Sequence, residues 1–103
     1  YGSHATRKKI YCGKITNWFD RISVAEVLVE SEALRKGDDI LIIGETTGVI
    51  EQNVSEIRVD LKPSGKAAKG TLCSIPILFP ADIRTPGGKK LRRGDKVYIW
   101  RQV

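Results

Sequence analysis

Short runs of β-branched and other apolar residues, separated by turn residues, constrain the fold of this chain more than any other feature. Residues 22–30 mostly alternate between apolar and polar side chains, as expected of a half-buried strand. Residues 39–44 are a short apolar run bounded by aspartate and glycine, as expected of a buried strand. Further strands are predicted over residues 10–19, 49–60, 70–78 and 96–101. About six strands with short connections predict an all-β fold, a small antiparallel β-barrel or a sandwich.

Three segments interrupt this pattern. Residues 31–36 leave room for at most one helical turn before the glycine that follows them. Residues 63–69 contain proline and glycine, which predicts a loop. Pro76 lies inside the apolar run 72–78, and proline there predicts an edge strand or a bulge.

The composition excludes several classes of protein. Two cysteines and one histidine are too few for a disulfide scaffold or a four-ligand zinc site. No apolar run approaches the roughly 20 residues that span a membrane. With 41% hydrophobic and 29% charged residues, we expect one globular cytoplasmic domain over residues 10–103, with no membrane partner, metal or cofactor.

The polar residues argue against an active site within this fragment. The single histidine, His4, lies in residues 1–4, which resemble a cloning scar. We expect residues 1–9 to be that scar and a flexible basic start. Without His4, no Ser-His or Cys-His pair can be built. We therefore predict that the fragment is not an enzyme and has no catalytic residues.

One pattern occurs twice, at residues 34–42 and 91–99. It consists of leucine, two basic residues, Gly-Asp, any residue, a β-branched residue, any residue and isoleucine. Glycine can adopt a positive φ there, and aspartate can accept hydrogen bonds from nearby backbone N–H groups. We interpret the pattern as a turn that enters a strand, with a binding role for the paired basic residues as the alternative. The predicted turn residues are Gly37, Asp38, Gly94 and Asp95.

The charge is unevenly distributed along the chain. The net charge is +6, with +3 in residues 1–20, −5 in residues 21–60 and +8 in residues 61–103. First and last strands of a barrel often lie close together, so the two basic sections are expected to merge into one patch. Such a patch gives salt-sensitive affinity for RNA phosphates. The candidate nucleic-acid-binding residues are Lys8, Lys9, Arg84, Lys89, Lys90, Arg92, Arg93, Lys96 and Arg101.

Four aromatic side chains are candidates for stacking on bases or for docking. They are Trp18, Phe19, Tyr98 and Trp100. Tyr98 and Trp100 share one face of a strand and Val97 and Ile99 the other, because side chains alternate across a strand. The sequence does not show which pair faces the core. The alternative role of all four aromatic residues is to fill the core or the barrel ends.

Several short segments, taken in order, resemble a known family. They are GKIT at residues 13–16, residues 22–27, residues 34–43, GETT at 44–47, QNVS at 52–55 and GDKVY at 94–98. Together they resemble domain two of the translation elongation factors. The resemblance is closer to the carboxy-terminal β-barrel of the collagenase-like peptidases of unassigned catalytic type, family U32, and it covers roughly residues 13–100.

The resemblance implies an accessory domain whose catalytic domain lies upstream in a longer parent protein. That parent would be a peptidase, hence a hydrolase, or would act in hydroxylation of a wobble uridine of tRNA. We expect a non-catalytic domain that supports substrate or partner binding. The alternatives are an RNA-binding module of a tRNA-modifying relative and a docking module for its own catalytic domain. The implied partners are therefore the upstream catalytic domain, tRNA or a peptide substrate.

Overall fold

The computed structural model describes residues 7–45, 48–77 and 91–102. Every regular secondary-structure element within these residues is a β-strand, which confirms the predicted all-β class. The strands of this part are β1 (Arg7–Phe19), β2 (Val24–Val29), β3 (Leu34–Arg35), β4 (Asp39–Gly44), β5 (Gly48–Asn53), β6 (Ile57–Val59), β7 (Lys62–Ser64), β8 (Lys66–Ala67), β9 (Leu72–Pro76) and β10 (Lys96–Gln102). Those with five or more residues are β1, β2, β4, β5, β9 and β10, each within or overlapping a predicted run.

Antiparallel pairing joins the strands into one large sheet and one small one. The large sheet has the order β5-β4-β10-β1-β2-β9-β6-β7, and β3 pairs separately with β8. The long strand β1 pairs with β10 through its first half and with β2 through its second half. The register shifts between Tyr11 and Gly13 and again between Ile15 and Asn17. A Cβ on Gly13 would overlap the carbonyl of Leu28 on β2, so glycine is what lets these strands approach.

Alternate side chains of the strands form a single hydrophobic core. On β10, Val97 and Ile99 are fully buried, so Tyr98 and Trp100 lie on the outer face of the sheet. The structure therefore answers the question that strand parity leaves open. On β2, every second residue from Ala25 is likewise fully buried.

Four local features differ from the sequence-based expectation or refine it. β1 begins at Arg7, before the predicted start at residue 10, because its first residues pair with β10. Residues 31–36 contain the whole of the two-residue strand β3 and no helical turn. The predicted loop over residues 63–69 is wrong, because β7 and β8 form there, and β7 is the last strand of its sheet, where proline is tolerated. Pro76 ends β9, where that strand pairs with β2 and no longer with β6.

Candidate functional site

The two Gly-Asp turns have the same backbone geometry. Gly37 has a φ of 95° and Gly94 a φ of 91°, in the left-handed region that favours glycine. The Asp38 carboxylate accepts a hydrogen bond from the backbone N–H three residues before it, at 2.8 Å. The Asp95 carboxylate does the same in the second turn, at 3.0 Å. In both turns, aspartate closes a tight turn directly before a strand.

Each turn is also held by a reciprocal pair of backbone hydrogen bonds. The glycine N–H donates to the carbonyl of a buried residue elsewhere, and the N–H of that residue donates to the carbonyl of the turn aspartate. The buried residue is Val54 for the first turn and Ile15 for the second, and all four bonds are 2.8 Å long. The turns therefore fix the entries of β4 and β10, while their paired basic residues remain exposed.

The basic candidates do not form one uniform patch. Antiparallel pairing places Lys8 opposite Arg101 and Lys9 opposite Trp100. Arg92, Arg93 and Lys96 are exposed at the other end of β10, where they line a shallow cavity with Glu45 and Asp95. The remaining candidates, Arg84, Lys89 and Lys90, lie outside the described residues.

Arg101 is engaged by two carboxylates. Its guanidinium donates to Asp38 at 2.8 Å and to Glu32 at 3.2 Å. The hydrogen bond to Asp38 is the main cause that raises the pKa of Arg101 above its ordinary value. Because two negative charges offset this cation, its contribution to attracting a polyanion is small.

The outer face of β1 and β10 carries a cation–aromatic ladder, defined by Arg7, Lys9, Tyr11, Tyr98 and Trp100. The Arg7 guanidinium lies 4.6 Å from the Trp100 ring centroid, and the Lys9 ammonium lies 4.7 Å from the Tyr98 centroid. Tyr11 and Tyr98 meet edge to face with centroids 5.6 Å apart. The cations cover the rings, so a base that stacks on Tyr98 or Trp100 has to displace Lys9 or Arg7.

The Tyr11 hydroxyl anchors one end of this ladder. It donates a 2.5 Å hydrogen bond to a carboxylate oxygen of Glu30. This bond favours the neutral phenol and is the main cause that raises the pKa of Tyr11 to about 12.

The other two aromatic candidates lie at the end of β1. Trp18 packs against the core, and its indole N–H donates to the Asp20 carboxylate at 3.3 Å. Phe19 is 39% exposed. It stands beside Ile22, which is 68% exposed, in the turn that connects β1 to β2.

An apolar groove runs beside this turn and was not foreseen from the sequence. Its floor is the outer face of β2 and β9, where Val24 pairs with Pro76 and Glu26 pairs with Ser74. The groove encloses about 460 Å³. Its remaining lining residues are Phe19, Ile22, Glu56, Arg58, Leu61 and Ile75.

Two strained turns border the groove. Ser23 has a φ of 52°, and Asp60 and Leu61 have φ values of 53° and 65°, which are unfavourable for residues with a Cβ. Leu61 is 90% exposed at the tip of the β6–β7 turn. The sequence carries no local signal for this groove, because the positive φ of Leu61 is seen only in the structure.

The cysteines belong to the core. Cys12 and Cys73 are free and buried. Burial is the main cause that raises the pKa of Cys12 to about 12 and that of Cys73 to about 11. These thiols are therefore poor nucleophiles at neutral pH.

The described residues hold neither a cluster of metal ligands nor a membrane-spanning helix. No group of three or more histidine, cysteine, aspartate or glutamate side chains is placed to hold a metal ion there. No helix in the same residues combines the length and the apolar character of a membrane span.

Comparison with known proteins places this domain among longer chains. No protein-family model matches it. A collagenase of Porphyromonas gingivalis strain W83 is 48% identical over 98 residues, covering 95% of this chain and 21% of the relative. A second Porphyromonas gingivalis collagenase is 46% identical, and an uncharacterized protease of Methanocaldococcus jannaschii is 31% identical over 102 residues. The chain thus spans between a fifth and a quarter of the length of these relatives.

Solved structures show the same fold. The C-terminal domain of a Geobacillus thermoleovorans protein assigned to the U32 peptidases superposes with a TM-score of 0.71 at 13% identity, covering 87% of this chain and 91% of that domain. Its selenomethionine variant gives a TM-score of 0.70. The resemblance to the U32 collagenase-like peptidases is confirmed. In the domain described here, the floor of the apolar groove lies on β2 and β9, and the cation–aromatic ladder lies on β1 and β10 of the same sheet.

Proposed function

We propose that this chain is a non-catalytic accessory domain of a U32 collagenase-like protein and that it supports binding of a polypeptide in the apolar groove. The observation that carries the proposal is the clustering of three exposed large hydrophobic side chains, Phe19, Ile22 and Leu61, around a sheet face that none of the described residues covers. Contiguous exposed apolar surface of this kind is typical of a binding site.

The shape of the groove favours an extended polypeptide. Beyond the groove lining, the same face of β2 and β9 continues from the Val24–Pro76 pair, past the polar Glu26–Ser74 pair, to a second apolar pair, Leu28–Leu72. Four residues of strand span about 13 Å, the length of four or five residues of an extended ligand. Alternate ligand side chains can then lie on the groove floor.

The relatives supply the context for such a role. They are four to five times as long as the matched segment, so the rest of a related protein is available to hold the catalytic machinery. Two of these relatives are named collagenases, which makes denatured collagen the first polypeptide to test. The upstream catalytic domain of the same protein is the alternative occupant of the groove.

Binding can be measured by the fluorescence of Trp18, which precedes the groove residue Phe19 on β1 but does not itself line the groove. In a Trp100→Phe background, Trp18 is the remaining tryptophan, so its emission reports on this end of the domain. Titration with heat-denatured collagen should shift this emission, and Ile22→Ser with Leu61→Ser should weaken binding at least tenfold. Val49→Ser is the matched control, because Val49 is 62% exposed and does not line the groove.

Equal binding by the parent chain and the Ile22/Leu61 variant would refute the groove as the site. A chain that binds no added polypeptide, while a full-length relative protects its groove from hydrogen exchange, would instead assign the groove to the upstream domain.

A second candidate function, tRNA binding, is favoured by the positive charge of β1 and β10. Lys8 and Lys9 on β1, Arg92 and Arg93 just before β10, and Lys96 at its start are exposed. Titration with tRNA at increasing salt tests this candidate. Arg92→Glu with Arg93→Glu should reduce the salt slope by about 1.5, because each lost phosphate contact removes about 0.7–0.9. Lys66→Glu with Lys69→Glu, on and after β8, controls for the change in net charge. Unchanged affinity in the arginine variant would exclude this site.

A further inference from the structure

We infer that the groove selects a polypeptide segment in which a lysine or arginine stands between two apolar residues, and that Glu26 receives the cation. This inference rests on the proposed polypeptide-binding function and names the ligand that it selects. The argument starts from the charged side chains that line the groove, which are Glu26, Glu56 and Arg58.

Glu56 and Arg58 neutralise each other. The Arg58 Nε lies 2.6 Å from a Glu56 carboxylate oxygen. This pair adds no net charge to the groove, and the arginine is already occupied by its own neighbour. Glu26 is therefore the charged groove residue with which a cationic group of a ligand can form an ion pair.

Glu26 has a neutral partner. One carboxylate oxygen accepts a hydrogen bond from the Thr16 hydroxyl at 2.9 Å, which fixes the side chain on the outer face of β2. Among the described residues, no basic side chain forms an ion pair with Glu26. The carboxylate is half-buried, so it has lost part of its hydration without a compensating cation.

The position of Glu26 within the apolar strip sets the ligand pattern. Glu26 pairs with Ser74 halfway between the Val24–Pro76 and Leu28–Leu72 pairs. Each apolar pair is two residues away along the strand, or about 7 Å. An extended ligand has the same two-residue period. A central basic side chain over Glu26 therefore places apolar side chains at positions −2 and +2 over the two apolar pairs.

Electrostatics favour this ligand over its alternatives. A cation at the groove floor interacts with Glu26 in surroundings of lower effective dielectric than open water, so the attraction exceeds that of an exposed ion pair. An acidic side chain at the same ligand position would meet a like charge. Glu26 and Ile22 lie within residues 21–60, whose net charge is −5.

Three nine-residue peptides test the inference. They share an extended alternating sequence with apolar residues at −2 and +2 and differ only in a central lysine, glutamine or glutamate. Fluorescence anisotropy of the labelled peptides with the 103-residue chain should show the lysine peptide binding at least tenfold more tightly than the glutamate peptide. Added salt should reduce this preference.

Two variants locate the preference. Glu26→Gln keeps an acceptor for Thr16 and should bring the three affinities within about twofold of one another, while Glu26→Lys should reverse their order. Glu51→Gln is the matched control, since Glu51 is an exposed strand residue outside the groove and should leave the preference intact. Circular dichroism of each variant verifies that it is folded.

The outcomes separate the two proposals. Equal binding of all three peptides overturns the role of Glu26 and leaves the polypeptide-binding groove standing. A lysine preference that persists in Glu26→Gln also overturns it. Failure of every peptide to bind, together with failure of denatured collagen, overturns the proposed function and this inference with it.

Discussion

Replacing Asp38 by alanine should destabilise the domain far more than removing an exposed ion pair. The Asp38 carboxylate performs two tasks at once. One oxygen accepts the backbone N–H of Arg35 at 2.8 Å and closes the first Gly-Asp turn. The other binds the Arg101 guanidinium at 2.8 Å, with the two side chains only 12% and 24% exposed.

The expected loss can be worked from these contacts. Removing one partner of a shielded ion pair costs about 3–5 kcal/mol, mainly because the other charge is left uncompensated. In the Asp38 variant, Arg101 keeps its ion pair with Glu32 at 3.2 Å and part of its hydration, so the loss of stability lies near the lower end of this range. Asp38→Ala should therefore cost about 3 kcal/mol. At about 4–8 °C per kcal/mol for a domain of this size, Tm should fall by at least about 12 °C.

Urea unfolding followed by tryptophan fluorescence and circular dichroism measures this loss. Arg58→Ala is the informative control, because its ion pair with Glu56 is shorter, at 2.6 Å, but both side chains are about half exposed. That variant should cost less than about 1 kcal/mol. Asp38→Asn, which can keep the backbone hydrogen bond, should fall between the two. If Asp38→Ala and Arg58→Ala cost the same, shielding from solvent does not decide the strength of these pairs.

Three further predictions concern packing, backbone strain and the thiols. Gly44→Ala should cost more than 2 kcal/mol, on the order of an overpacked core, because its Cβ would overlap the carboxylate of the second Gly-Asp turn; Gly65→Ala meets no atom and should be nearly neutral by the same chemical denaturation. Leu61→Gly should relieve about 1 kcal/mol of backbone strain and therefore raise Tm, while it weakens polypeptide binding. A lower Tm would show that the turn is not strained. Cys12 and Cys73 should react with a thiol reagent at pH 8 only on unfolding. Because folding raises both thiol pKa values, their contribution to stability is complete below about pH 9 and is lost as the pH rises through about 11–12, which thermal melts against pH will detect.

The strands and the turn chemistry were accessible from the sequence because they depend on local patterns. Alternation around residues 24–29 reports which side of a strand is buried, and the repeated Gly-Asp motif reports where the backbone must turn. The loop predicted over residues 63–69 was wrong because it was based on the presence of proline. Proline excludes a central strand but not the last strand of a sheet, and the position of a strand in the sheet is set by distant residues.

The candidate surfaces depended on contacts that no local pattern reports. Arg101 belongs to a basic section of the sequence, yet the fold brings it to Glu32 and Asp38, more than 60 residues away. Phe19 and Leu61 line one groove although Phe19 ends β1 and Leu61 lies in the β6–β7 turn. Such placements require the strand order, which the sequence alone left open.

The pairing of Arg7 with Gln102 determines how this domain responds to tension. The two ends of the described chain lie side by side on neighbouring antiparallel strands. A pulling force applied at these two points therefore loads the hydrogen bonds between β1 and β10 one after another, from the ends inward, rather than all at once. The domain should open like a zipper at low force, with the Arg7–Trp100 contact among the first to separate.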